Sequence, residues 1–567
     1  MKIKLKVNNK EVEGSKGESI LDVAKKNGVD IPAICYHSDL KPQNSCRLCL
    51  VSIKGKEGLH TSCSTLAEEG MEIITDSPEI RKLRKINLEL LVSQHIEQCS
   101  SCNWKYKCKL LSLSKEYNIK INKLEDRKKN FPKYQFGPSI VFDSSKCIDC
   151  KNCVEVCKNQ GVGFLTTEKN GNFVQIGFSK NDCVFCGQCI THCPGGAFEE
   201  VNSIPEVEKE LANNKKYVVF QFAPAVRSSI GEDFGMDYGS IVTEKIVAGI
   251  KKLGARKVFD VSVGADITTI EESNELIERI LKKKDLPMFT SCCPSWVRYV
   301  EIYYPKFIKN LTTVRSPHII LGGLTKSYFA EKEKINPKNI VVVSVMPCTS
   351  KKYEIERKEL YFNKLKPVDY VLTTRELSRM FKKNKINLSE IKDEKLDCPW
   401  REYTGAGVIY GNTGGVAESA LRTVYEKMTG KKLKEIEFKS IRGMKGSKEI
   451  KLKIGKKIVK VAVINGLGNA KKLLEKNPYE YDYVEVMACP GGCIGGGGQP
   501  IPIDDDIRKK RALSLYKIDK KKDVRLAHES PLVKLIYKEF LKNKETVHKF
   551  CHTSYSAKEK GLIIKIK

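Results

Sequence analysis

The chain has 567 residues, 100 Lys and Arg against 69 Asp and Glu for a formal charge of +31, and 22 cysteines. At roughly 150 residues per domain this length excludes a single core and predicts about three to five domains. So many cysteines would suit a disulfide framework only in a short secreted chain, whereas this one opens MKIKLKVNNKEVEG, an alternating strand pattern without a signal-peptide core, and holds no run of the roughly 18 to 20 apolar residues that spans a membrane, so a reducing, cytoplasmic compartment is expected.

In chain order, the alternation predicts a strand, a turn at Asn8-Asn9, a second strand and a helix near Ser19 to Asn27. Cys35, Cys46, Cys49 and Cys63 follow as C-x10-C-x2-C-x13-C, a close pair with an outlying cysteine on either side, similar to the layout of a plant-type 2Fe-2S site but with a wider first gap. Four thiolates could equally hold zinc; the iron-sulfur signatures further along decide for iron. The layout resembles the ferredoxin-like, β-grasp N-terminal domain of complex I and iron-only hydrogenases.

Leu88 to Val92 carries an amphipathic helical pattern into His95-x3-Cys99-x2-Cys102-x5-Cys108. A histidine there would by default be a helix-surface residue. Three cysteines leave one position of a 4Fe-4S cluster open, however, and the imidazole stands one helical turn before the first of them. A neutral nitrogen in place of a thiolate removes negative charge and raises a cluster's potential. Cys147-x2-Cys150-x2-Cys153-x3-Cys157 and Cys183-x2-Cys186-x2-Cys189-x3-Cys193-Pro194 are two copies of the bacterial ferredoxin run, in which the fourth cysteine serves the other cluster. The predicted sets are Cys147, Cys150, Cys153 and Cys193, and Cys183, Cys186, Cys189 and Cys157, with a hairpin-like segment between the runs. Lys158 stands where the run usually has Pro.

Beyond about Glu206 strands alternate with helices. Tyr217 to Phe222, Lys257 to Asp260, Ile340 to Met346 and Val459 to Ile464 read as buried strands, and Thr269 to Lys283 and Val416 to Met428 as helices, which predicts α/β layers. Gly466-Leu467-Gly468 lacks the third glycine of a dinucleotide loop, with Lys471 in its place, and is expected to be a plain strand-to-helix turn. This half also carries Thr290-Ser291-Cys292-Cys293-Pro294-Ser295-Trp296, Met346-Pro347-Cys348-Thr349-Ser350-Lys351-Lys352 and Met487-Ala488-Cys489-Pro490-Gly491-Gly492-Cys493. Cys293, Cys348, Cys489 and Cys493 could hold a further cluster, and Gly495 to Gly498 would let backbone approach it closely. Structural zinc is the alternative, although zinc sites commonly use two compact pairs.

At these three motifs the chain resembles the iron-only (FeFe) hydrogenases, specifically the clostridial monomeric type with four accessory clusters, and the resemblance runs through essentially the whole sequence. It implies reversible reduction of protons to H2 at an H-cluster. By the same resemblance that group would be a 4Fe-4S cluster held by Cys293, Cys348, Cys489 and Cys493, with Cys493 bridging to a two-iron subsite that carries CO, cyanide and an azadithiolate. It further implies that Ala223, Pro224, Met346 and Met487 surround the subsite and that Lys351 donates to a cyanide nitrogen. Cys292 would pass protons to a relay of Glu272, Thr312, Glu275 and Arg279. The spacing i, i+3, i+7 places Glu272, Glu275 and Arg279 on one helix face, which by itself would suit a solvated stripe. Thr312 stands where the family commonly has Ser, His318 where a Gln is often found, and Ser295 where Gly is common.

The expected architecture is multidomain α+β and α/β: residues 1–79 a 2Fe-2S ferredoxin-like domain, 80–126 a His/Cys3 4Fe-4S domain, 127–207 a double 4Fe-4S ferredoxin-like domain and 208–567 the catalytic domain. The expected cofactors are one 2Fe-2S cluster, three accessory 4Fe-4S clusters and the H-cluster. Electrons would be exchanged with a ferredoxin or flavodoxin-like carrier, maturation proteins would supply the two-iron subsite, and the chain reads as a monomer. Bound clusters make the folded protein less basic than its count, and lysine is spread along the chain. The densest basic run, Arg508 to Arg511, follows Asp504 to Asp506, so a solvated surface is expected, with a docking face for an acidic carrier second and nucleic acid excluded. Two other functions fit parts of the sequence. An electron-transfer subunit related to complex I or formate dehydrogenase leaves the three C-terminal motifs unexplained, and a hydrogenase-like sensor or iron-sulfur assembly protein would be expected to lack Cys292 or the acid relay.

Overall fold

A computed structural model of the chain describes all residues except 96–101, 103, 105–107, 121–125, 127, 171–172, 560, 562 and 567. Cys99 lies outside the described residues. The N-terminal sheet has the order β2-β1-β5-β3-β4, built from β1 (Lys2–Val7), β2 (Lys10–Ser15), β3 (Leu50–Ile53), β4 (Leu59–Thr61) and β5 (Glu72–Ile74). Strict alternation in β1 buries Ile3, Leu5 and Val7 and exposes the lysines between them. Asn8 and Asn9 turn the hairpin at φ 50° and 65°, a left-handed pair asparagine tolerates. Helix α1 (Ile20–Lys26) is capped by Ser19 and lays Ile20 and Val23 on the sheet.

Helix α2 (Pro78–Val92) starts at the Ser77 cap and buries Arg84, whose guanidinium donates to the carbonyls of Leu48, Leu50 and Thr75, so this helix is clamped to the first sheet. A short α3 (Lys109–Glu116) begins at Cys108. Next come β6 (Lys133–Phe136), β7 (Ile140–Asp143), α4 (Asn152–Asn159), the hairpin β8 (Leu165–Asn170) and β9 (Phe173–Phe178), α5 (Gln188–Thr191) and β10 (Phe198–Glu200). The two ferredoxin runs are local copies: Asp149 and Lys151 take φ 53° and 62°, and the matching Phe185 and Gly187 take 59° and 70°. The first left-handed residue of each run aims its amide at the first cysteine, Asp149 N to Cys147 Sγ and Phe185 N to Cys183 Sγ, both 3.4 Å.

The C-terminal half begins with α6 (Ile204–Leu211), β11 (Tyr217–Phe222), α7 (Thr243–Lys252), β12 (Lys257–Asp260), α8 (Ser262–Lys282), β13 (Met288–Phe289), α9 (Pro294–Tyr303), α10 (Pro317–Leu324), β14 (Ile340–Met346) and β15 (Tyr370–Thr373). The strands β12-β11-β14-β15 form an all-parallel sheet. A second sheet, β13-β18-β17-β16, uses β16 (Ser447–Ile454), β17 (Lys457–Asn465) and β18 (Tyr483–Met487). Every residue of β14 is buried, as a central parallel strand requires.

Several sequence expectations need revision. Helix α8 starts seven residues earlier than Thr269, because Ser262 and Asp266 are buried polar groups paired with Arg227 and with Thr404, a pattern that hides the helical period. A Cβ on Gly264 would lie 2.1 Å from the Pro317 carbonyl, so glycine lets α8 and α10 touch backbone to backbone. The helix expected from Pro531 to Asn543 ends at Glu539 and is followed by another, Lys544–Cys551. The basic run is only half solvated. On the helix Asp505–Lys521, Arg508 is buried and paired with Asp39 and Asp505, and Arg511 is buried on Glu232, while Lys509 and Lys510 face outward. Gly466 is indeed a turn, at φ 83°, and the following helix Leu467–Lys476 presents its first amide to Gln160 of the ferredoxin runs at 2.9 Å. The last strand, β19 (Ile563–Ile566), pairs antiparallel with β6, so the C-terminus joins the sheet of residues 133–200. Among the described residues no helix is long and apolar enough to cross a membrane.

Candidate active site

The chemistry-bearing motifs sit where strands of both C-terminal sheets end. Ala223 follows β11, Met346 closes β14 and Cys348 comes two residues later; Cys293 is the N-cap of α9 just beyond β13; Met487 closes β18 and leads to Cys489. These carboxyl ends face one another, the usual place for a ligand crevice in parallel sheets. Ala223, Pro224, Cys292, Cys293, Met346, Cys348, Lys351, Met487, Cys489 and Cys493 all line a single cavity of about 80 Å³.

The donor set of the cavity, four cysteine thiols, fits a metal cluster. Burial, then the charge of Cys348, pushes the Cys293 thiol up to about 11, and burial with the same neighbour raises Cys489 and Cys493. Such thiols stay protonated until a cation replaces their protons. The loop that carries Cys493 is pressed onto backbone: a Cβ on Gly496 would meet the Pro347 carbonyl at 2.0 Å, and one on Gly497 the Cys186 carbonyl at 2.5 Å. That second contact joins the catalytic loop to a ferredoxin run. Thr349 donates to the Phe185 carbonyl at 2.8 Å, Gln188 to the Gly495 carbonyl at 3.1 Å, and Cys489 Sγ lies 3.9 Å from the Cys186 carbonyl.

Lys351 is buried with its ammonium 3.1 Å from the Cys292 carbonyl and 2.7 Å from Glu354. Burial opposes the charge, but Glu354 more than offsets it and keeps the ammonium above its ordinary range. Burial and Lys351 push His318 down to about 4, so its ring is neutral. Its Nε2 donates to Glu354 at 2.5 Å, and its Nδ1 accepts from Ser344 at 3.2 Å. Both nitrogens are thereby engaged by protein. Ser295 donates to Ser350, which contacts Cys348 Sγ at 3.3 Å.

Behind Cys292, α8 carries Glu272, Glu275 and Arg279 on one face as their spacing predicts. Glu272 is 1% exposed and accepts from the Tyr483 hydroxyl at 2.7 Å. Burial pushes its carboxyl up to about 8; the Tyr483 bond pulls against this, and the charges of Glu275 and Glu485 add to it. Burial and Glu272 raise the Cys292 thiol. Glu275 Oε2 accepts from Thr312 at 2.8 Å, and Oε1 pairs with Arg279 at 2.5 Å. Tyr483 and Tyr410, the latter on the cavity wall, were not singled out by sequence reasoning. Tyr483 had a legible signal, since period two puts Tyr483, Glu485, Met487 and Cys489 on one face.

The accessory cysteines also assemble. The neighbours that add to burial in raising Cys153 are Cys147, Cys150 and Cys193 first, and for Cys189 they are Cys183, Cys186 and Cys157. Each run therefore gathers around the other's fourth cysteine. Cys35 Sγ accepts from Cys46 N at 3.4 Å, and Cys49 and Cys63 sulfurs are 3.3 Å apart. His95 is buried, and among the described residues its Nδ1 has no partner, a fit for metal ligation.

Together these features define an iron-sulfur oxidoreductase whose catalytic cavity is wired to ferredoxin-type clusters. Residues 216–497 match the family described as iron only hydrogenase large subunit, C-terminal domain; residues 1–78 a 2Fe-2S iron-sulfur cluster binding domain; residues 146–197 a 4Fe-4S dicluster domain; and residues 505–558 the iron hydrogenase small subunit. The chain belongs to the FeFe hydrogenase family, and it is a hydrogenase, an oxidoreductase interconverting H2 with protons and electrons. It is 38% identical over 572 residues to iron hydrogenase 1 of Clostridium pasteurianum, covering 97% of this chain and 99% of that protein. It is also 38% identical over 577 residues to the NADP-reducing hydrogenase subunit HndD of Solidesulfovibrio fructosivorans, covering 98% and 99%. A solved structure of the [FeFe]-hydrogenase HydA1 from Chlamydomonas reinhardtii superposes with TM-score 0.57 at 38% identity, covering 63% of this chain and 99% of that one.

Proposed function

We propose that Cys293, Cys348, Cys489 and Cys493 would hold the H-cluster. One 2Fe-2S cluster on Cys35, Cys46, Cys49 and Cys63 and three accessory 4Fe-4S clusters would exchange electrons with a ferredoxin or flavodoxin-like carrier in the cytoplasm. The H-cluster, when bound, supplies a Lewis-acidic metal with a base beside it for heterolytic cleavage of H2. The chain's own residues do the rest. Lys351 would offer its ammonium to an anion-like diatomic ligand of that group, Met346 and Met487 would supply polarizable walls, and Ala223 and Pro224 would close the cavity. Cys292, Glu272, Thr312 and Glu275 move the proton outward, with Arg279 fixing the outer carboxylate. A single observation carries the reading: ten residues from four distant segments line one cavity whose floor touches a ferredoxin run.

The cytosolic Fe-S cluster assembly factor narfl of Danio rerio is 31% identical over 388 residues, covering 65% of this chain, so a non-catalytic role is the reading to exclude. Infrared spectra of protein matured with its assembly proteins are expected to show CO and cyanide stretches. Normal accessory clusters without those bands would overturn the assignment.

The His95 assignment gives a separate expectation. His95→Cys should keep a 4Fe-4S cluster on Cys99, Cys102 and Cys108 but make its potential more negative, since a thiolate adds charge. Potentiometric electron paramagnetic resonance measures this; an unchanged set of potentials would show that the imidazole is not a ligand.

A further inference from the structure

Arg279, the outermost residue of the relay, cannot release a proton, because a guanidinium does not titrate in proteins. Glu275 therefore passes its proton either to water of the cleft it lines or to another side chain. A second threonine beside Thr312 leads to one: Thr313 donates its hydroxyl to the same Glu275 Oε2 at 3.0 Å, and that hydroxyl lies 2.8 Å from His552 Nδ1. Nε2 of His552 lies 3.2 Å from Glu271 Oε2, and the Tyr537 hydroxyl donates to the other oxygen of Glu271. Resting on the relay proposed above, we propose that it forks at Glu275 and that Thr313 and His552 form a second, histidine-terminated exit for the proton.

The chemistry balances without a co-reactant. Protonated Glu275 donates to the Thr313 oxygen while the Thr313 hydroxyl proton passes to His552 Nδ1, leaving a carboxylate, an intact hydroxyl and an imidazolium. Glu271 plays the part of a positioning carboxylate, since it accepts from Nε2 and fixes the tautomer whose Nδ1 is free to take the proton. Burial would raise Glu271, but the bonds from His552 and Tyr537 outweigh it and keep it ionised.

The imidazole is held by backbone. Val314 and His552 form an isolated antiparallel bridge, Arg315 Nε donates to the His552 carbonyl at 2.6 Å, and Thr553 N donates to the Thr313 carbonyl at 2.8 Å. The charged and titratable groups around it are Glu271 and Tyr537, the Arg315 guanidinium, the neighbouring Cys551 thiol, His548 with its ring parallel at 5.8 Å, Glu275 and Arg279 across the cleft, and Lys427, whose charge reaches Glu271. Glu271, Glu275, Arg279, Thr313, His548 and His552 line one surface cleft of about 840 Å³, where the proton meets water. His552 lies in the segment that matches the small-subunit family, which would then contribute to proton traffic as well as to packing.

The test uses the matured holoenzyme. His552→Gln and Thr313→Val should each lower H2 turnover by about tenfold, less than the loss of a relay group without a bypass. The double variant should lose no more than either single, since the two residues act in series. Thr313→Ser should restore activity, and imidazole added to His552→Ala should rescue it. Infrared difference spectra with ring-labelled histidine should show an imidazole gaining a proton as a carboxyl loses one, a signal absent in Thr313→Val. Wild-type turnover in His552→Gln and Thr313→Val with no imidazole signal, while Cys292→Ser is inactive, would overturn the fork and leave the main relay standing. Near-normal turnover in Cys292→Ser would instead remove the relay on which the fork depends.

Discussion

Cys292→Ser is expected to lower hydrogen turnover by roughly 10²- to 10⁴-fold, the range for losing a positioned proton-transfer group, while the H-cluster infrared bands persist. The substitution isolates the thiol. Serine keeps the backbone carbonyl that receives the Lys351 ammonium at 3.1 Å, and it keeps the neighbouring Cys293 at the start of α9. What changes is acidity and reach: a hydroxyl is a far weaker acid than a thiol and its oxygen sits on a shorter bond. The Cys292 thiol is already raised by burial and by Glu272, so it rests protonated between the cavity and the carboxyl behind it. A resting acid coupled electrostatically to the next carboxyl suits a shuttle, whereas a mere packing cysteine would give near-normal turnover on replacement. Turnover measured with a chemical reductant, which bypasses the partner protein, separates the two, and the infrared bands report whether the cavity survives.

What the sequence made legible follows from how local each signal is. Cysteine spacings are local, so the 2Fe-2S domain and the 4Fe-4S dicluster domain could be read directly from them, and the crossed gathering of the two ferredoxin runs follows from the repeat. The run IVVVSVM could be read as a central strand because burial on both faces leaves no alternation to confuse. The start of α8 could not, since Ser262 and Asp266 look polar in sequence and are paid for by partners 35 and 138 residues away. Arg508 and Arg511 carry the same lesson in reverse: a basic run suggests solvent, but residues three apart on a helix share a face, and this face meets Asp39 and Glu232. His552 had no signal at all, because its role depends on a chain return of 239 residues to Thr313.

Glu272→Gln is expected to cost as much activity as Cys292→Ser and to leave a second, independent mark on stability. The carboxyl is 1% exposed, and burial pushes it up to about 8 from an ordinary value of 4.5. Between those values the folded protein holds one proton more than the unfolded chain, so stability falls as pH rises through this window, by about 1.4 kcal/mol per pH unit from this group. Glutamine cannot ionise and keeps an acceptor for the Tyr483 hydroxyl, so the variant should gain stability relative to the parent from pH 5 to pH 8 and hold that gain above. Denaturation of the unmatured proteins across this range measures the difference, in which titrating groups that do not interact with Glu272 cancel. On the proposed relay, the protonation state of the same carboxyl should weight the rates of the two directions differently. H2 evolution needs it protonated as a donor and should decline past about pH 8, whereas H2 oxidation needs the carboxylate and should gain. Residual turnover in Glu272→Gln should lose that opposition. If its stability curve keeps the parent's slope, the extra proton belongs elsewhere in the buried cluster, and Glu272 then cannot be the group that pauses it on its way between Cys292 and Glu275.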